Sequence, residues 1–152
     1  MTRIYLELGP KKVFACSLDW PGWCRIAKGE EPLAAEEAAR GVALVRAAWD
    51  LFDEVAEASP EELRKGPRGG GRDRSKIVDH VVESERGYAR MIDVRHKPFT
   101  SVADRDAMRA DLADVLSQPW TPPQTAKWPP RYAIRRIAWH VIDHLWEIED
   151  RV

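Results

Sequence analysis

His140 and His144 stand four residues apart in the stretch 131–152, and His80 stands in an earlier stretch with the same helical period. A gap of four puts two side chains on one face of a helix, about 6 Å apart at Cβ. Two neutral imidazoles at that spacing can share a divalent cation, and a third from a facing helix completes a three-nitrogen site. Such a site leaves coordination positions open for water or substrate, and it suits zinc or nickel without choosing between them. The fourth histidine, His96, precedes Lys97-Pro98 and reads as a surface residue in a loop.

Other polar residues fall close to these rings on the helical wheel. In the last helix Ile134, Ile137, Val141, Leu145 and Ile148 fill one apolar arc; His144 lies at its edge, His140 beside it, and Asp143 and Glu147 just outside. In the earlier helix Ile77, Val81, Tyr88 and Ile92 mark the arc, and His80 sits on its margin with Ser84 and Met91. Asp143, Glu147 and Ser84 are therefore candidates for orienting a ring N–H, with Glu147 also a catalytic candidate. Glu85 falls inside the apolar arc, where an acid is costly unless bonded or functional. It reads either as a hydrogen-bonded core acid or as a catalytic proton acceptor near the metal.

The segment Gly66-Pro67-Arg68-Gly69-Gly70-Gly71-Arg72 runs directly into the His80 helix. Exposed backbone N–H groups, arginines and a helix N-terminus favour an anion, so Arg68, Gly70 and Arg72 are candidates to hold a substrate carboxylate or phosphate. No Gly-Lys-Ser/Thr follows, so this is not a nucleotide-binding P-loop. A solvated linker is the plainer reading.

The elements that must carry these residues follow from periodicity. Residues 3–8 and 13–20 alternate around the turn residues Gly9-Pro10-Lys11-Lys12 and read as a β-hairpin, with residues 24–28 able to add a third strand. Helices are expected over 33–56, 73–94, 101–116 and from 131 to the end. Ser101 caps the third, helped by Asp104 three residues on, and its stripe reads as Val102, Met108, Leu112 and Val115. The proline-rich stretch 118–130 must be an irregular crossover. The expected fold is mainly α, a four-helix bundle with an N-terminal β-hairpin extension.

Composition narrows the function. With 152 residues, 44% of them apolar, the chain is sized for one domain with a genuine core. A net charge of −1 gives no footprint for nucleic acid or an anionic membrane. No apolar run reaches the length of a bilayer span and the N-terminus lacks a secretory signal, which points to the cytoplasm. Cys16 and Cys24, with seven residues between them, read as thiols, one inward-facing and one in a turn. Of the seven tryptophans, Trp139 and Trp146 lie on the side of the last helix away from the histidines, where either the hairpin or a second copy of the chain would cover them.

The segments Lys76-Ile77-Val78-Asp79-His80-Val81-Val82-Glu83-Ser84-Glu85 and Arg135-Arg136-Ile137-Ala138-Trp139-His140-Val141-Ile142-Asp143-His144 resemble the DinB/YfiT-like superfamily. The resemblance covers roughly residues 33–152 and implies a four-helix bundle. It also implies a divalent metal held by one histidine on the second helix and a His-x3-His pair on the last. An acid five residues after the first histidine is common in that superfamily, and Glu85 matches it. The chain then divides into a β-hairpin extension packed on the bundle, 1–30, and a four-helix DinB-like domain, 31–152; the hairpin is a departure from the family pattern.

The family includes metal-dependent transferases and isomerases that use low-molecular-weight thiols. The expected function is thus a metal-dependent enzyme acting on a small molecule, as a thiol-dependent transferase or isomerase or as a hydrolase. The alternatives are a metal- or ligand-binding bundle without turnover, and a homodimer built on the tryptophan face.

Overall fold

The computed structural model describes residues 3–8, 13–19, 24–27, 32–66, 69–121 and 126–152, with backbone alone at 8 and 24–27. Three strands, β1 (Ile4–Leu8), β2 (Val13–Ser17) and β3 (Cys24–Ala27), form an antiparallel sheet in the order β1-β2-β3. Four helices follow: α1 (Ala35–Ala58), α2 (Arg74–Met91), α3 (Val102–Leu116) and α4 (Pro130–Glu149). The architecture is a mainly helical bundle with a small N-terminal sheet. Among the described residues, no helix is long and apolar enough to cross a membrane.

Each helix is fixed by local chemistry that the residues supply. The Ser101 hydroxyl accepts the Asp104 N–H, as the sequence predicts, and the Asp104 carboxylate reaches back to the Thr100 N–H. Pro130 opens α4, where its missing N–H costs nothing. Arg74, the first residue of α2, donates to the Ala56 and Ser59 carbonyls at the end of α1 and pairs with Glu61. One arginine thus fixes the C-terminus of α1 against the N-terminus of α2. The loop before α4 is tied at both ends: Trp120 exchanges backbone hydrogen bonds with Leu33, and the Trp128 N–H donates to the Met91 carbonyl.

The core lies among all four helices. Val45, Phe52, Ile77, Val81, Met108, Leu112, Leu116, Ile137, Val141 and Ile148 are almost wholly buried. α1 packs most extensively on α4, and α2 also lies against α4. This arrangement brings the His80 helix beside the helix of His140 and His144.

One expectation about facing is corrected, and one left open is settled. In α3, Val102 and Val115 are exposed, while Arg109, Ala113 and Leu116 join Met108 and Leu112 inside. In β1, Ile4 and Leu6 are each 57% exposed and Glu7 is 1% exposed, so the apolar side of the strand faces outward. The register explains this facing. Tyr5 and Glu7 stand opposite Cys16 and Phe14, and this shared face packs on α4. Phe14 stacks on Tyr132 at 4.4 Å, and the Arg135 guanidinium lies 4.0 Å over Tyr5 and pairs with Glu7. Burial among these groups pushes the Tyr5 hydroxyl up to about 12.

Cys16 is buried as expected, but Cys24 opens β3 rather than sitting in a turn, and the register sets the two opposite each other. The turns at 9–12 and 20–23 lie outside the described residues.

Candidate metal centre

His80 reaches the site from α2, and His140 and His144 reach it from successive turns of α4. The ring centroids are 5.3 Å apart for His80 and His140, 4.8 Å for His80 and His144, and 4.6 Å for His140 and His144. Each ring can offer one nitrogen such that all three lie within 4.8 Å of one another. Three atoms at the corners of such a triangle stand at most about 2.8 Å from its centre, within an ångström of an imidazole–zinc bond of about 2.0–2.1 Å. Small side-chain rotations close that difference. The three histidines could hold a metal ion.

The polar groups around the rings fit that role. His140 is 5% exposed, and its Nδ1 is buried without a hydrogen-bond partner. A buried polar nitrogen left bare costs about 1–3 kcal/mol, a penalty that an electrophile at the ring can relieve. Burial, followed by the neighbouring His144, Arg136, His80 and Arg72, lowers the His140 ring to about 3. Burial and the nearby Arg72 and His144 lower His80 too, against the pull of Glu147. These two rings are neutral at physiological pH, the form that ligates metal.

Glu147 is the hub beside the site. Its Oε2 is 2.7 Å from His144 Nδ1 and 2.6 Å from Arg72 Nη2, and its Oε1 is 3.2 Å from Arg151 Nη1. Burial raises the Glu147 carboxyl, but hydrogen bonds from Arg72 and His144 outweigh it and hold the group below the ordinary glutamate value. An ionised carboxylate only accepts, so His144 Nδ1 carries a proton, and in the neutral ring Nε2 then keeps the lone pair. The Arg72 Nη2 also lies 3.4 Å from the same Nδ1, but the shorter contact to the carboxylate decides the tautomer.

The remaining candidates are dispersed. Glu85 is fully buried in the bundle. It accepts from Trp49 Nε1 at 2.7 Å and from Arg109 Nε at 3.1 Å, and Arg109 continues to Asp53 at 2.9 Å. Burial nevertheless pushes its carboxyl up, against the pull of Arg109. Its oxygens thus serve a network joining α1, α2 and α3. Ser84 is half-buried and Asp143 is exposed. Gly70 is exposed, and its carbonyl accepts the Gly66 N–H at 2.7 Å. Arg72 is at the site, through Glu147, while Arg68 lies outside the described residues. His96 pairs with Asp111 at 2.8 Å.

Three participants carry no site role in the sequence reading. Tyr88 stands edge-on to the His140 ring at 5.4 Å. Arg136 lies 4.6 Å over Trp139 and 5.4 Å over Tyr88. Arg151 holds the far oxygen of Glu147. The signal for the first two was spacing: Tyr88 is eight residues after His80, and Arg136 four before His140.

No family model matches the chain, and no curated protein or solved structure matches it significantly.

Proposed function

We propose that the three histidines form a divalent metal centre for chemistry on a small molecule, and that the chain is a DinB-like metalloenzyme. The observation that carries this reading is the convergence of His80, His140 and His144 from two helices, with a buried Nδ1 that has no partner. A divalent ion held by three imidazoles keeps positions for water or a thiol and lowers the pKa of either toward neutrality.

The chain's own residues divide the remaining work. Glu147 holds the His144 ring in one tautomer and one orientation. Because it already accepts from His144, Arg72 and Arg151, it has little capacity left for a substrate proton, and its role is positioning. Arg72 keeps that carboxylate ionised. Glu85 fixes the core that sets α2 against α1 and α3. Zinc and nickel both suit the donor set. The resemblance to the DinB/YfiT-like superfamily favours a low-molecular-weight thiol as cosubstrate, and transfer or isomerisation over hydrolysis.

The test is elemental analysis of purified, untagged protein, with turnover measured against a panel of thiols and electrophiles. One ion per chain, lost in His80→Ala and in His140→Ala, is expected. Metal content unaffected by either substitution would end the reading. Stoichiometric metal with no turnover across the panel would leave a binding module without catalysis.

A further inference from the structure

Among the described residues, Arg136 is a cation beside the three histidines with no ion-pair partner. It stands four residues before His140 on α4, so the two side chains share a face. The Tyr88 ring lies 5.4 Å from the Arg136 guanidinium carbon and 5.4 Å from the His140 ring. One aromatic side chain therefore borders both the guanidinium and the metal-site imidazole. Among the described residues no carboxylate pairs with Arg136, whereas Arg72, Arg109, Arg131, Arg135 and Arg151 each have one. Its planar group rests 4.6 Å over Trp139, which leaves the edge N–H donors free to form a fork toward an oxyanion.

The charge balance points the same way. Glu147, the carboxylate that contacts His144, is already occupied by Arg72 and Arg151 and does not pair with Arg136. Tyr88 also lies 5.3 Å from Trp128, which extends the aromatic surface beside the ring.

We infer that Arg136 seats the anionic group of the molecule that binds at the three-histidine site, which makes the substrate class a small carboxylate or phosphate with an apolar or aromatic body. This rests on the metal-centre reading only for the site's location. Arg136 binds the oxyanion through its edge donors, and Tyr88 and Trp128 pack against the body. The substrate is thereby held between Arg136 on α4 and Tyr88 on α2.

The experiment titrates cobalt(II)-loaded protein with benzoate and, separately, with inorganic phosphate, followed by visible absorption. Saturable binding is expected for at least one anion, weakened about ten- to hundredfold in Arg136→Gln by loss of a charge-assisted bond. Arg136→Lys falls between, because it keeps the charge without the fork. Tighter benzoate assigns a carboxylate, and tighter phosphate assigns a phosphate. Equal affinity in the parent protein and Arg136→Gln overturns the inference, as does the absence of any response in the parent.

If the protein takes up no cobalt, the metal reading fails by itself. The same titrations on metal-free protein, read by tryptophan fluorescence, then decide Arg136 by the same criterion. Arg136→Met, which keeps an apolar stem over Trp139, substitutes for Arg136→Gln if circular dichroism shows that variant unfolded.

Discussion

Glu147 sits three residues beyond His144 on α4, and its Oε2 lies 2.7 Å from the ring's Nδ1. A carboxylate in that position fixes which nitrogen is protonated and aims the other at the site. Glu147→Gln keeps an acceptor but loses the charge that holds Arg72 and Arg151. Zinc affinity is expected to fall about 10–100-fold, the usual cost of removing such a partner, and Glu147→Ala to fall further. Competition with a chromophoric chelator measures both. Unchanged affinity in Glu147→Ala would remove the positioning role.

Glu85 separates a structural acid from a catalytic one. Its carboxylate is 0% exposed and bonded to Trp49 and Arg109. Breaking a buried pair by removing one partner typically costs about 3–5 kcal/mol, because the other charge is left in the interior. Here Asp53 still holds Arg109, so the loss in Glu85→Ala is expected at the lower end of that range. Glu85→Gln, which still accepts from Trp49, loses less. Urea unfolding gives the energies, and metal stoichiometry should stay at the parent value. A stable Glu85→Ala protein with abolished turnover would return Glu85 to the chemistry.

The lowered histidines set a pH dependence for the metal-free protein. His140 titrates near 3 in the fold, against about 6.5 when unfolded. Between those values the unfolded chain binds a proton that the folded chain does not. Stability is therefore fully present above about pH 6.5 and is lost as the pH falls toward 3. His80, lowered in the same direction, adds to the slope. Urea midpoints in chelator from pH 7.5 to 5 should fall with pH, and less steeply in His140→Gln. A flat or rising midpoint in the parent protein would contradict the buried neutral ring.

Much of the helical scaffold and the convergence of the histidines were legible because both depend on short spacings. Ser101 with Asp104 announces the start of α3, and residues three and four apart share a face wherever a helix forms. The sheet was harder. Alternation shows that β1 has two faces but not which one packs, and the choice went to the Glu7 side because Arg135 on α4 supplies its countercharge. Arg109 was missed for a similar reason: its partners Glu85 and Asp53 come from other helices, and without them a buried arginine is an error. Arg136 showed only as a letter beside the histidine motif, since its lack of a carboxylate partner is a property of the folded neighbourhood.

The glycine loop before α2 is shaped around Arg151. Gly71 has φ +132°, and a Cβ there would lie 2.2 Å from Arg151 Nη2. The Arg151 guanidinium thus occupies the space that any other side chain would need. From there it donates to the Arg64 carbonyl at 2.9 Å and to Glu147 at 3.2 Å. Gly71→Ala meets both the backbone strain, about 1–3 kcal/mol for such a conformation, and the clash. Arg151 is expected to leave Glu147, which retains Arg72. The thermal midpoint should drop clearly while zinc affinity falls only slightly, since the His144 contact survives. A parent-like midpoint would mean that the loop has another conformation. A loss of zinc binding as large as that of Glu147→Ala would mean that Arg151, rather than Arg72, holds the carboxylate in place.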